Sequence, residues 1–142
     1  MARRTVKRGV RFVNNRKAIL VQDELNSNGK DILWRAHTNA TITPGSGGTA
    51  VLELHGKKLT ATILSPQGAS FTSIPAARLA GTELAPAVDQ ENPGVSVLTI
   101  ALAAPAGAQT ISVLLVPQWD GGAQLETPSV VALDSWSLTS HP

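Results

Sequence analysis

His37, His55 and His141 are the only imidazoles in the chain. No two of them stand two or four positions apart, the spacings that put a ligand pair on one face of a strand or helix. A zinc centre would therefore need carboxylates from elsewhere in the fold. The sequence has no cysteine, which excludes disulfides and thiolate metal centres. No metal and no cofactor is expected. Nucleophilic catalysis has no better footing. There is no Gly-x-Ser-x-Gly elbow, and Ser70 and Ser73 read as ordinary loop or strand serines. Asp23 and Glu24 are adjacent carboxylates in an extended run, so they face opposite ways and cannot share a substrate as an acid–base pair. Gly45-Ser46-Gly47-Gly48 lacks the Lys-Ser/Thr of a phosphate-binding loop. No residue is assigned a catalytic role, and the chain is not expected to be an enzyme by itself.

What remains is binding chemistry. Trp119 precedes Asp120 in a turn and is the best candidate for an exposed aromatic that stacks on a sugar ring; its alternative is a lid over the end of the fold. Trp34 and His37 are three apart on an extended run. Trp34 is expected in the core, with His37 on the other face, beside Arg35 if a bulge intervenes. Trp136 alternates with Leu133 and Leu138 and reads as core. Asn39-Ala40-Thr41 is a glycosylation pattern that matters only on a secretory route. Seven of the 12 basic residues, namely Arg3, Arg4, Lys7, Arg8, Arg11, Arg16 and Lys17, precede the first carboxylate. Two readings are open: a solvated strand edge protected by charge, or contact with an anionic polymer.

The elements that must position these residues are strands. Turn signals separate short β-rich runs at 5–13, 18–24, 31–37, 49–54, 58–64, 95–103, 109–116 and 129–138, with short pieces at 38–43 and 69–74. Asn28-Gly29 predicts a hairpin joining 18–24 to 31–37. His55-Gly56 and the Ala104–Gly107 stretch predict hairpins joining 49–54 to 58–64 and 95–103 to 109–116. Residues 65–94, rich in proline, read as irregular connections around the short strand. The expected fold is all-β: a single antiparallel two-sheet sandwich over 1–142, jelly-roll-like, with about nine to eleven strands and residues 1–8 as a basic arm or edge strand. The 142 residues, 42% hydrophobic and 15% charged, exclude a disordered chain. Three Trp, two Phe and no Tyr make the core aliphatic. No apolar run approaches the ~20 residues of a membrane helix, so no membrane partner is expected. The basic start leads into no apolar segment, so no signal peptide is expected. Cytoplasmic residence, or trimming from a longer secreted or membrane-anchored protein, fits both points.

Residues 11–25 (RFVNNRKAILVQDEL) and 32–42 (ILWRAHTNATI) resemble the β-sandwich region of heparinase II/III-like polysaccharide lyases, particularly the fungal type. Leu64-Ser65-Pro66, Ala69-Ser70-Phe71, residues 89–94 (DQENPG) and Val116-Pro117-Gln118-Trp119 agree. The resemblance spans roughly residues 6–120, and the combination of Val-Gln-Asp-Glu with Trp-Arg-x-His-Thr is its most specific part. It implies an α-helical toroid followed by a sandwich, acting on acidic polysaccharides by β-elimination, with Tyr and His moving the protons. This chain departs from that pattern: it has no helical portion and no Tyr. The resemblance then implies the sandwich alone: a lectin-like, non-catalytic carbohydrate-binding protein. Its candidate ligand residues are Trp119, His37, Arg35, Arg11 and Arg16. The partner is a glycan, with an acidic polysaccharide as one class; nucleic acid is not expected, and a homo-oligomer is compatible. The alternatives are a C-terminal fragment of a lyase and a structural or assembly protein with a basic arm. The strand reading has a direct check. Far-UV circular dichroism is expected to give helix below roughly 10%, against about a third in an average globular protein; a strong helical signal contradicts it.

Overall fold

The structure is a computed structural model and describes residues 4–76, 92–122 and 124–137. Among these residues nine strands run in chain order: β1 Thr5–Val13, β2 Ala18–Asn26, β3 Ile32–Thr38, β4 Thr41–Pro44, β5 Thr49–Leu54, β6 Lys57–Ser65, β7 Phe71–Pro75, β8 Ser96–Leu102 and β9 Ala108–Pro117. They form two antiparallel sheets, one ordered β1-β2-β9-β6-β5-β4 and the other β3-β8-β7. The all-β sandwich expected from the sequence is the fold found. Among the described residues no helix is long and apolar enough to cross a membrane.

Local turn chemistry explains two hairpins. Between β1 and β2, Asn14, Asn15 and Arg16 all take positive φ (53°, 55° and 67°), and Lys17 N–H closes on the Asn14 carbonyl at 3.1 Å. Asparagine tolerates that region better than most residues. Between β5 and β6 a two-residue loop, His55 and Gly56, has φ of 51° and 74°. Positive φ at both central residues matches the right-handed twist of the flanking strands.

Two other hairpin expectations are corrected. β2 does not pair with β3. It pairs with β1 and β9, while β3 pairs with β8 in the other sheet. By the same token β8 and β9 are not a hairpin. Each turn carries the chain from one sheet to the other, and the two crossings lie side by side, tied by the Ala104 N–H donating to Asp31 Oδ1 at 2.8 Å. The β2–β3 ribbon thus runs antiparallel to the β8–β9 ribbon across both sheets. The physical reason is burial. Residues on the inward sides of β2 and β3 meet face to face, as the Trp34 indole N–H donating to Asp23 Oδ2 at 3.0 Å shows. A flat hairpin would set them side by side.

That contact belongs to a larger one. Asp23 is 4% exposed and also receives Arg8, Nε to Oδ1 at 2.6 Å and Nη2 to Oδ2 at 2.8 Å. The bond to Asp23 raises the Arg8 pKa against the opposing effect of burial. Glu24, one residue on, points the other way and accepts the Leu133 N–H at 2.6 Å. The opposite-face expectation for this pair therefore holds.

The expected last strand at 129–138 is also corrected. Its described part, through 137, is irregular with one 3-10 turn at Leu133–Ser135. Side chains of β2 take its backbone groups: Gln22 Nε2 donates to the Val131 carbonyl at 2.7 Å, beside the Glu24–Leu133 bond. The alternating apolar residues lie flat on the outer face of the larger sheet instead of entering a ladder. Trp136 is half-buried there, not in the inter-sheet core, and Leu138 lies outside the described residues.

The larger sheet is therefore covered on part of each face. Between the sheets lie Trp34, Phe71, Leu98, Ile100, Ile111 and Val113, with Ala50 and Ala61 where the layers approach closely. On the outside, Val13, Ala18, Leu20 and Leu114 lie under Leu125 and Trp136. Gly9 marks the tightest point of this outer covering. A Cβ there would fall 2.5 Å from Leu133 Cδ2 and 2.7 Å from Trp136 Cζ3. Glycine in a strand normally costs about 0.5–1 kcal/mol relative to alanine, so Gly9→Ala would ordinarily stabilise. Here the overlap decides the sign. Gly9→Ala is expected to destabilise by about 1–3 kcal/mol and to shift tryptophan emission to the red; urea unfolding followed by fluorescence measures both.

Candidate functional site

At one end of the sandwich the β1–β2 turn meets the chain leaving β9. The Gln118 N–H donates to the Lys58 carbonyl at 2.9 Å, extending the β6–β9 pairing past its last strand residue. That bond delivers Trp119 to the rim of the sheet. The indole Nε1 donates to the Lys17 carbonyl at 2.8 Å, which fixes the ring, and the residue stays 43% exposed. Gly121 and Gly122 follow with φ of 85° and 62°, a turn that keeps Gly122 beside the ring. The ring is thus anchored at the end of the sheet and still shows surface to solvent.

A pocket of 330 Å³ lies beside this ring. Val51 and Val116 give it apolar walls, and Thr60, Lys58 and Gln118 supply polar groups. Among the described residues its lining carries one cation and no carboxylate. An aromatic face next to hydroxyl, amide and ammonium groups matches the needs of a pyranose, whose C–H face is apolar and whose rim is hydroxylated.

The five candidate residues do not converge. Trp119 and Arg16 share one end of the molecule, since Lys17 next to Arg16 holds the indole. Arg11 lies on the outer face of β1, its guanidinium carbon 4.7 Å from the centroid of the Trp136 ring. There it lines a polar groove of 580 Å³ with Asn14, Asn15 and Glu126. Its packing on the indole makes it a clasp for the segment that crosses the sheet. Arg35 and His37 share the outer face of the smaller sheet. β3 pairs with β8 in unbroken register, so no bulge is needed to place them together. His37 is exposed and Trp34 is buried, on opposite sides as expected. His55 is exposed in the β5–β6 loop, and His141 lies outside the described residues. Among the described residues, no three His, Asp or Glu side chains are grouped to hold a metal.

No family model matches the chain, and no curated protein does.

Lys58, Thr60 and Gln118 escaped the sequence reading. Nothing local marks them; only the β6–β9 register, Leu59 opposite Pro117, brings them to Trp119. Asn14 had a signal, the Asn-Asn turn, but its role is tertiary. Its Nδ2 donates to the Glu126 carbonyl at 2.9 Å, and its Oδ1 accepts the Glu126 N–H at 3.1 Å. The side chain so pairs with a backbone as a strand would. Asn14→Ala removes both bonds, each worth about 1 kcal/mol net, and leaves alanine in the left-handed region at about 1–2 kcal/mol. A loss of about 2–4 kcal/mol in denaturant unfolding is expected, with earlier proteolysis within residues 124–137.

Proposed function

We propose that this protein binds carbohydrate without cleaving it, as a lectin-like sandwich whose primary contact is the Trp119 pocket. The observation that carries this reading is the indole held by Lys17 with its ring exposed beside Lys58, Thr60 and Gln118. A ring already fixed in the free protein loses little freedom when a sugar stacks on it. Among the described residues the lining supplies donors and acceptors but no carboxylic acid or imidazole for proton transfer. The resemblance of residues 11–25 and 32–42 to the sandwich of heparinase II/III-like lyases supports an acidic polysaccharide as the ligand class. Lys58 in the pocket and the exposed Arg16 and Lys17 on the neighbouring turn are the cations nearest to hand.

Titration of uronate-containing and neutral oligosaccharides against wild type and Trp119→Ala tests this. Wild type is expected to prefer the acidic series. Trp119→Ala should weaken binding by about 1–3 kcal/mol, the scale of aromatic stacking on nucleobases, with an unchanged circular dichroism spectrum. Raising salt should reduce the preference for acidic over neutral sugars and leave the stacking component in place. If neither series binds wild type, or Trp119→Ala binds as tightly, the reading fails.

A further inference from the structure

The two sheets are unequal, six strands against three, and the mismatch is open on one side. The Trp34–Asp23 bond places β3 over β2. Beyond it β1 extends with its inward face uncovered by any other described residues. Val6, Val10 and Phe12 are 71%, 62% and 50% exposed on that strand. Their partners across the β1–β2 ladder, Leu25, Val21 and Ile19, widen the apolar floor. The wall of this groove is the edge of β3. Among the described residues β3 pairs only with β8, so its other edge keeps unpaired N–H and C=O groups. A recess of 250 Å³ opens where floor meets wall, between Val6 and Leu25 on one side and Leu33 and Arg35 on the other.

We infer that this groove receives an extended segment of another polypeptide, added as a strand to β3 and lying over β1, with apolar and acidic side chains in alternation. Three features select that occupant. An unpaired edge recognises backbone, which only a polypeptide supplies. A strand reads alternate side chains on opposite faces, so one set meets the Val6–Val10–Phe12 floor. The other set meets the rim, and the rim is cationic: Arg35 lines it, and its Nε is buried with no hydrogen-bond partner among the described residues. Among those residues the one lining carboxylate, Asp23, is 4% exposed and already held by Arg8 and Trp34. A second copy of this chain fits poorly through the same surface. β1 carries no acid; Arg8 is held by Asp23 and Lys7 meets the exposed Asp134, so Arg11 is the charge that two such strands laid together would set against its own copy. The groove lies apart from the Trp119 pocket, and the inference does not depend on sugar binding.

The probe is a synthetic seven-residue peptide alternating valine and glutamate, matched to the 7 residues of β3. It is titrated into the 15N-labelled full chain. Three controls accompany it: a valine–lysine alternation, a peptide of the same composition with its glutamates in one block, and the alternating peptide with a central proline. The valine–glutamate peptide is expected to bind saturably and to shift the amides of residues 33–38 together with those of Val6, Val10 and Phe12. The controls should bind at least tenfold more weakly. Val10→Glu, at an exposed position, should also weaken binding at least tenfold while the circular dichroism spectrum is kept. Equal binding of the block peptide shows attraction by charge alone and overturns the inference. So does equal binding of the proline peptide, absence of binding at millimolar concentration, or a dimer in sedimentation that Val10→Glu dissolves.

Discussion

The carboxylate of Asp23 sits under the junction of the two sheets and accepts three donors, two from Arg8 and one from the Trp34 indole. It joins β1, β2 and β3 through one side chain. An ionised carboxylate shut away from water costs several kcal/mol unless its oxygens are satisfied. The forked guanidinium contact answers most of that cost and fixes direction as well as charge. Because Asp23 is followed by Glu24, the site also sets register. A slip of β2 by one residue would exchange the two faces. Glu24 would face the inter-sheet core, either opposite Val6 or one methylene too long for the place between Arg8 and Trp34, and the Leu133 N–H on the outside would lose the acceptor it has now. One pair of carboxylates therefore fixes how β2 faces both coverings, the smaller sheet within and the C-terminal segment without.

The outer covering changes what the larger sheet can do. Its β1, β2 and β9 region is occupied by the protein's own chain, fastened at Asn14, Gln22, Glu24 and Gly9. The open part of that sheet's outer face lies toward β5 and β6, and the Trp119 pocket is there, on Val51, Lys58 and Thr60. The turn at residues 14–17 serves both purposes. Asn14 holds the crossing segment at Glu126, and Lys17 holds the indole. Strapping and display are thereby set by four consecutive residues.

Strand positions were legible because side-chain alternation and turn residues are local. The β5 limits, Thr49–Leu54, match the sequence reading, and His55-Gly56 marked its hairpin. Strand partners were less legible. Asn28-Gly29 forms its turn, with φ of 57° and 77°, yet the turn delivers β3 to the other sheet. Tight-turn chemistry specifies a reversal of direction and is silent about which surface is buried next. The segment from 129 onward misled for a related reason: apolar alternation serves a chain lying on a sheet as well as a strand within one. Trp119 could be singled out by its place in a turn. Its neighbours could not, because Lys58 and Gln118 meet through pairing between distant strands. The scattering of Arg11, Arg16, Arg35 and His37 follows from the same limit, since residue type carries no record of which end or face a strand presents.

The wound ribbons have a kinetic consequence. Gln22 faces Ser112 from 90 positions away, and Asp31 meets the Ala104 backbone from 73. Contacts so remote in sequence require the ends of long loops to find one another before any packing reward arrives, which places such topologies among the slower folders, in milliseconds to seconds. During synthesis the β1–β2 hairpin emerges long before β9 exists to cover Leu20 and Val21. For that interval it is an apolar ribbon with open edges, the kind of species that associates with its own copies. Lys7 and Arg11 lie on the first strand of that hairpin, and charged side chains on an open strand disfavour such pairing.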